Sequence, residues 1–373
     1  MTEDKISQKK IRFATLFPGS ENVHLAKDVG MIPYILGKYY NYESKLVCYK
    51  NGDYPYLNAE LKGLNIDFIK RDINSDFDDG TIYLIKNSRN IDVLHLFHLS
   101  ESSLKWMYFY KKLNPNGRVY LKLDANTNII NSPLNEGVFE FLKRHCSLIS
   151  VETKYLYQYL NKNWPVNIEY IPNGFYNFCD QEPILYNDKE NIICTSGNIG
   201  FPVKANEILL KAFELASPYL TGWKLKMIGP IKEEFKQYII RLFLNNPRLQ
   251  DQIIFTGQIT NKCELFKEYK KAKIFCLTSK IEGFPLVFPE AARNGCFIVS
   301  SNLPAAWDIT DNKKYGDIFE IEDIKQLALL LINNCKAEER LKSVCKDIQT
   351  FAYENFYWVN ICKKINYSLT EDR

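Results

Sequence analysis

The chain has no Cys-x-x-Cys pair, and its ten cysteines follow no regular interval. That spacing argues against a zinc ribbon and against a disulfide framework. Buried reduced thiols are expected instead, since Cys194, Cys276 and Cys296 lie in apolar, strand-like runs. Nowhere is there an apolar segment long enough to cross a bilayer. The polar start, MTEDKISQKK, reads as neither a signal peptide nor a span. Blocks of like charge are missing too: 48 basic and 44 acidic residues are mixed throughout, for a net charge of +4. No nucleic-acid partner is expected on that balance. No short-period repeat is visible. What the chain has is bulk. Its 373 residues, 46% hydrophobic and including 24 Tyr and 23 Phe, are enough for two cores.

Strand-like and helix-like stretches alternate along nearly the whole length, the pattern of parallel sheets covered by helices on both faces. In the first half, strands are expected at Ile11–Phe17, Ser44–Tyr49, Asn65–Ile69, Ile91–His98, Arg118–Asp124, Ser147–Val151 and Asn167–Ile171, with one helix from about His24 to Tyr39. The turn Pro172-Asn173-Gly174 closes that series, and Phe178–Asp188 is polar and acidic, as a linker would be. A second series follows. Its expected strands are Asn191–Thr195, Trp223–Ile228, Gln252–Thr256, Lys273–Leu277 and Phe297–Ser300. Its helices are Lys204–Ala216, about Lys232–Leu244, about Cys263–Lys271, Asp323–Asn333 and Glu338–Lys364. The fold class is therefore α/β, with two doubly wound, Rossmann-like domains, 1–178 and 179–373. In open α/β sheets, ligands bind outside the C-terminal strand ends.

The stretch Ser279–Gly295, SKIEGFPLVFPEAARNG, follows one such strand end. Glu282 and Glu290 stand in it with seven residues between them. Pro285 and Pro289 are tolerated only near a helix start, so a helix is expected from about Leu286 to the stop Asn294-Gly295. A helix start offers free N–H groups and a positive dipole end. Flanked by two carboxylates, it suits a ligand with a phosphate and several hydroxyls.

The second half resembles the GT-B glycosyltransferases of group 1 (family four), which includes glycogen-synthase-like enzymes and bacterial polysaccharide transferases. The matching residues are Ser196-Gly197, Lys204 ahead of a long helix, Gly229 after a strand, Phe255-Thr256-Gly257, Ser279 and EGFPLVFPEA. They cover most of Ile192–Ser301. The resemblance implies a retaining, metal-independent, hexosyltransferase-type enzyme that uses a nucleoside-diphosphate sugar, UDP-linked in the first instance, and needs no cofactor. Glu290 would bind the donor ribose and Glu282 the donor sugar. Lys204 would pair with the diphosphate, while backbone N–H groups around Phe284–Val287 hold sugar and phosphate, in a donor-binding stretch made of Gly283, Phe284, Pro285, Leu286 and Val287. One departure stands out: Asn198 occupies the position where the family usually carries an arginine. That removes a bidentate phosphate partner, and Lys280 is the candidate replacement.

Resemblance is weaker in the first half, where a loop glycine after the first strand, Gly19, and the IPNG segment around Asn173 match. Gly19, Ser20, His98 and Asn173 would line the acceptor side. Many relatives have a histidine near the reacting sugar, and Asp124 aligns with it; a helix cap or turn is the competing role. His95 and His98, three residues apart on one strand, point to opposite faces and cannot share a metal. Asp76-Phe77-Asp78 is formally a DxD, but lies in a polar loop, so no metal site is assigned. The segment Lys105–Lys112 mixes aromatics with lysines and is read as core-facing. An interfacial anchor is the other reading, because members of the family often use lipid-linked acceptors at the cytoplasmic membrane face. A cytoplasmic location, with peripheral contact at the inner membrane face left open, follows from it. The last helix, about 350–373, is expected to pack back toward the first domain through Trp358. Two other classes stay open: a non-catalytic nucleotide-sugar sensor or partner subunit, and an epimerase or phosphorylase on the same fold.

Overall fold

The computed structural model describes residues 10–71, 77–132, 134–179 and 183–371. Two compact units emerge: Met1–Glu152 with Leu156–Pro172 and Trp358–Arg373, and Thr153–Tyr155 with Asn173–Tyr357.

The first unit is built on seven parallel strands: β1 (Ile11–Leu16), β2 (Tyr42–Cys48), β3 (Asn65–Phe68), β4 (Val93–Phe97), β5 (Arg118–Lys122), β6 (Leu148–Val151) and β7 (Glu169–Tyr170). They lie in the order β3-β2-β1-β4-β5-β6-β7. The order reverses direction beside β1, which creates a switch point between β1 and β4. β4 is buried at all five positions, as a strand covered on both faces must be, and so reads as an apolar run without alternation. His95 is part of that core. It is fully buried, stacked on Tyr120 at 4.4 Å, and its Nδ1 lies 3.0 Å from the Thr15 hydroxyl. Burial holds its pKa well below the usual imidazole value.

The second unit has six parallel strands: β8 (Glu190–Ser196), β9 (Lys224–Ile228), β10 (Ile253–Gly257), β11 (Ala272–Leu277), β12 (Phe297–Ser301) and β13 (Gly316–Phe319), in the order β10-β9-β8-β11-β12-β13. β13 is absent from the sequence reading; its four residues, GDIF, open with Gly and Asp, which are depleted in strands.

The expected single helices break in two places. His24–Tyr39 is two helices, Asn22–Leu25 and Asp28–Tyr39. The C-terminal run splits at Tyr357 into Glu338–Phe356 and Trp358–Thr370. Tyr357 is extended (φ −81°, ψ 123°), and the Phe175 N–H donates to the Phe356 carbonyl at 2.9 Å, so the chain forms a bridge there rather than another helical turn. The helix Trp358–Thr370 belongs to the first unit. The Tyr40 hydroxyl donates to the Val359 carbonyl at 2.7 Å, and the Arg118 guanidinium donates to the Leu369 carbonyl.

One cysteine expectation is corrected. Cys179 and Cys263 form a disulfide, their Cα atoms 6.0 Å apart across a sequence separation of 84. A pairing at that separation has no local signature; it depends on the segment after the Asn173 turn passing over the start of the helix Lys262–Lys271. Cys194, Cys276 and Cys296 are buried free thiols, as expected.

Candidate functional site

Three glycines stand at the C-terminal ends of neighbouring strands in the second unit. Gly197 follows β8, Gly229 follows β9 and Gly257 ends β10, with φ of 140°, 140° and 71°. The Gly197 N–H donates to the Ile228 carbonyl at 3.0 Å and the Gly229 N–H to the Gly257 carbonyl at 2.9 Å. A Cβ on Gly229 would lie 1.9 Å from the Gly197 carbonyl oxygen, so no other residue fits. At Gly197 and Gly257 a Cβ would meet nothing within 4 Å. There the backbone borders open space that a ligand can approach closely.

Beside this edge stands Lys204, at the end of the 3-10 turn Pro202–Lys204 and followed by Ala205 at φ 46°. Two bonds join its loop to the one after β11: Thr278 Oγ1 donates to the Lys204 carbonyl at 3.0 Å, and the Lys280 N–H to the Val203 carbonyl at 2.8 Å. The Lys204 ammonium lies 2.5 Å from Glu282 Oε1, and the hydroxyl of fully buried Ser279 donates to the same oxygen at 2.7 Å. A cation, a carboxylate and a hydroxyl, 78 residues apart between Lys204 and Glu282, thus form one cluster.

Glu290 sits in the helix Val287–Arg293 and is 6% exposed. Lys262 donates to its Oε1 at 2.7 Å, and the buried Tyr269 hydroxyl approaches Oε2 at 3.4 Å. The helix starts one residue later than expected and stops at Asn294 and Gly295, with Gly295 at φ 69°. Between the two carboxylates, Phe284 is buried against the Phe356 ring at 5.4 Å, while Gly283, Pro285, Leu286 and Val287 are half-buried. Asn173 holds this loop: its Nδ2 donates to the Phe284 carbonyl at 3.1 Å. The sequence reading had set Asn173 on the acceptor side, whereas it belongs to the second unit. The loop it holds lies 111 residues away, which no local pattern reveals.

A second charged group lies at the C-terminal strand ends of the first unit. Lys122, the last residue of β5, is fully buried, 2.6 Å from Glu152 and 3.4 Å from Asp28. Burial opposes its charge, yet the flanking carboxylates outweigh that and raise its pKa. Glu152 also accepts the backbone N–H groups of Asp124 at 3.1 Å and Ala125 at 3.0 Å. It thereby holds Asp124 at φ 42°, in the left-handed region, and Asp124 lies 3.1 Å from His98 Nε2. The Asp124 hydrogen bond raises the His98 pKa despite partial burial. Burial pushes the other way on Asp124, but His98 and Lys122 together lower its pKa. Gly19 and Ser20 follow β1; Ser20 is fully buried, and its hydroxyl has no hydrogen-bond partner among the described residues.

Residues 180–348 match the family model described as "Glycosyl transferases group 1". That stretch of the second unit is similar to a group 1 glycosyltransferase domain. An uncharacterized glycosyltransferase of Haemophilus influenzae is 30% identical over 138 residues, spanning 36% of this chain and 37% of that protein. The capsular polysaccharide biosynthesis glycosyltransferase CapH of Staphylococcus aureus is 24% identical over 290 residues, 74% of this chain and 78% of CapH. The crystal structure of Anabaena HepE in complex with UDP and glucose is similar at a TM-score of 0.73 and 14% identity, covering 96% of this chain and 99% of HepE. A glycosyltransferase from Rickettsia africae reaches 0.76 at 14% identity, over 98% of this chain and 100% of that one. The fold is GT-B.

Elsewhere in the chain, other expected positions have other surroundings. Asn198 is exposed at the β8 edge. Lys280, the candidate replacement cation, pairs with Glu322 at the surface. Asp78 caps the helix Asp79–Asn87 and binds Lys105 at 2.8 Å and Trp106 Nε1 at 2.6 Å; Asp76 lies outside the described residues. In Lys105–Lys112, Met107 and Tyr110 are buried and Tyr108 is exposed. Among the described residues no helix is long and apolar enough to cross a membrane. Sequence reasoning missed Lys262, Tyr269, Lys122 and Glu152. A lysine at a helix start, where the dipole disfavours it, was the one available signal for Lys262.

Proposed function

We propose that the protein is a retaining glycosyltransferase that moves a sugar from a nucleoside-diphosphate sugar, UDP-linked in the first instance, to a glycan or lipid-linked glycan acceptor. The second unit binds the donor and the first binds the acceptor. The observation that carries this reading is the joint arrangement of the strand-end glycines, the Lys204–Glu282–Ser279 cluster and Glu290 within one unit. Glu290 accepts from the ribose hydroxyls and Glu282 from hydroxyls of the transferred sugar. Charge-assisted bonds of this kind contribute roughly 1.5–3 kcal/mol each. The leaving diphosphate gains charge in the transition state, so Lys204 and the backbone amides around Phe284–Val287 favour that state over the ground state, and no metal is called for. Same-face attack passes the acceptor proton to the leaving diphosphate, so no carboxylate acts as a nucleophile. His98 and Asp124, at strand ends of the first unit, contact the sugar or the acceptor. The HepE complex with UDP and glucose supports the choice of first donor to try.

The test is a thermal-shift screen of nucleoside diphosphates and their sugars, followed by a transfer assay with the best hit. Stabilisation by UDP-sugars and transfer with retained anomeric configuration are expected. Inverted product, or a trapped glycosyl–Glu282 adduct, would overturn the mechanism. A second reading, a non-catalytic nucleotide-sugar partner, draws on the uncharged Asn198. Nucleotide binding without transfer or donor hydrolysis would favour it.

A further inference from the structure

We infer that Lys262 is the positioning residue that sets this site's discrimination between ribose and 2′-deoxyribose. The inference rests on the reading of Glu290 as the ribose-binding carboxylate. Glu290 is a buried carboxylate, and a buried charge is costly unless it is paired. Two side chains reach it. Tyr269 is at 3.4 Å, at the weak end of hydrogen-bond length, whereas Lys262 is at 2.7 Å and charged. The side chains of Lys262 and Glu290 are only 14% and 7% exposed, so this is not a water-screened surface pair.

A carboxylate has about four lone-pair directions, two on each oxygen. Lys262 takes one on Oε1 and Tyr269 one on Oε2. One direction is left on each oxygen, an arrangement that matches the two hydroxyls of a vicinal diol. The terminal torsion of a glutamate is otherwise broad, and Lys262 is the group that pins its plane. Lys262 is itself held in place. It is the first residue of the helix Lys262–Lys271, whose cap Asn261 accepts the Glu264 N–H at 3.0 Å, and the adjacent Cys263 is tied to Cys179. A cation at a helix N-terminus is disfavoured by the dipole, so its position there is compensated by Glu290.

The experiment measures Kd for UDP, GDP and ADP, takes the tightest, and compares it with its 2′-deoxy counterpart. The proteins are wild type, K262M, K262R and E290Q. Wild type is expected to prefer the ribonucleotide by about 10-fold or more. In K262M the ribonucleotide should weaken by about 10-fold while the deoxynucleotide changes little, bringing the preference to within about 2-fold. K262R, which keeps the charge, should retain most of it. K262Q carries the same comparison should K262M fail to fold. If K262M keeps the wild-type preference while E290Q loses it, Lys262 has no such role and the ribose reading stands. If E290Q keeps the preference, or wild type binds none of the three, the Glu290 reading fails and this inference falls with it.

Discussion

Glu290 and Glu282 are both carboxylates in one short stretch, yet their neighbours differ. Glu290 is buried against Lys262 and Tyr269, while Glu282 shares one oxygen with Lys204 and Ser279. On the proposed reading, removing Glu290 deletes its bonds to the ribose, and it leaves Lys262 without its anion. The variant Glu290→Ala should therefore lose on the order of 100-fold in kcat/KM, about 3 kcal/mol, in a donor-saturation assay; unchanged turnover would refute its role. His98 contributes pH dependence to the first unit. Its pKa is raised by the Asp124 bond, so the stability it contributes is fully present below the unfolded histidine value, about 6.5. That contribution is lost as pH rises through the higher folded value. The lowered pKa of Asp124 adds stability above the unfolded carboxylate value, which is lost as pH falls through the folded one. Ring-proton NMR should find His98 titrating above 6.5, and Asp124→Asn should bring it back down. Both partners are part-exposed, so solvent screening keeps the energy modest.

Strands and their terminal turns set where these side chains stand. The three glycines ending β8, β9 and β10 let the backbone turn away at the sheet edge, and Gly229 does so against the Gly197 carbonyl. Gly229→Ala should lower stability by at least about 1–3 kcal/mol from backbone strain alone, before the clash is added. Chemical denaturation should detect this as a lower midpoint, with loss of nucleotide-induced stabilisation. The sequence indicated all three glycines through the family resemblance, in which each lies at or after an expected strand. Ala205, a non-glycine residue at φ 46°, carried no such mark. Its conformation is imposed by the bonds from Thr278 and Lys280 to the neighbouring Lys204 and Val203.

At the scale of the whole chain, the Cys179–Cys263 bridge closes a covalent loop spanning 84 positions inside the second unit. The double variant Cys179→Ser/Cys263→Ser should be less stable by roughly 2–4 kcal/mol. A thiol reductant should move wild type toward the same midpoint and leave the double variant unmoved; equal midpoints for all would remove the bridge from the fold's energetics. Sequence alone determined the alternation of strands and helices, the two doubly wound series, and the order of glycines, lysine and glutamates along the second. The alternation is a local property, written in hydrophobic period and turn chemistry, and the order of site residues was legible through the family resemblance. Tertiary structure decided which charges meet. Lys262 with Glu290, Lys204 with Glu282, Glu152 with Lys122 and Asn173 with Phe284 are joined across 28, 78, 30 and 111 positions. The break at Tyr357 belongs with them, since the partner of its bridge, Phe175, is more remote still. A side chain's partner across a sheet edge is set by which strands pair and by what must be neutralised once buried, and neither is encoded within a window of neighbouring residues.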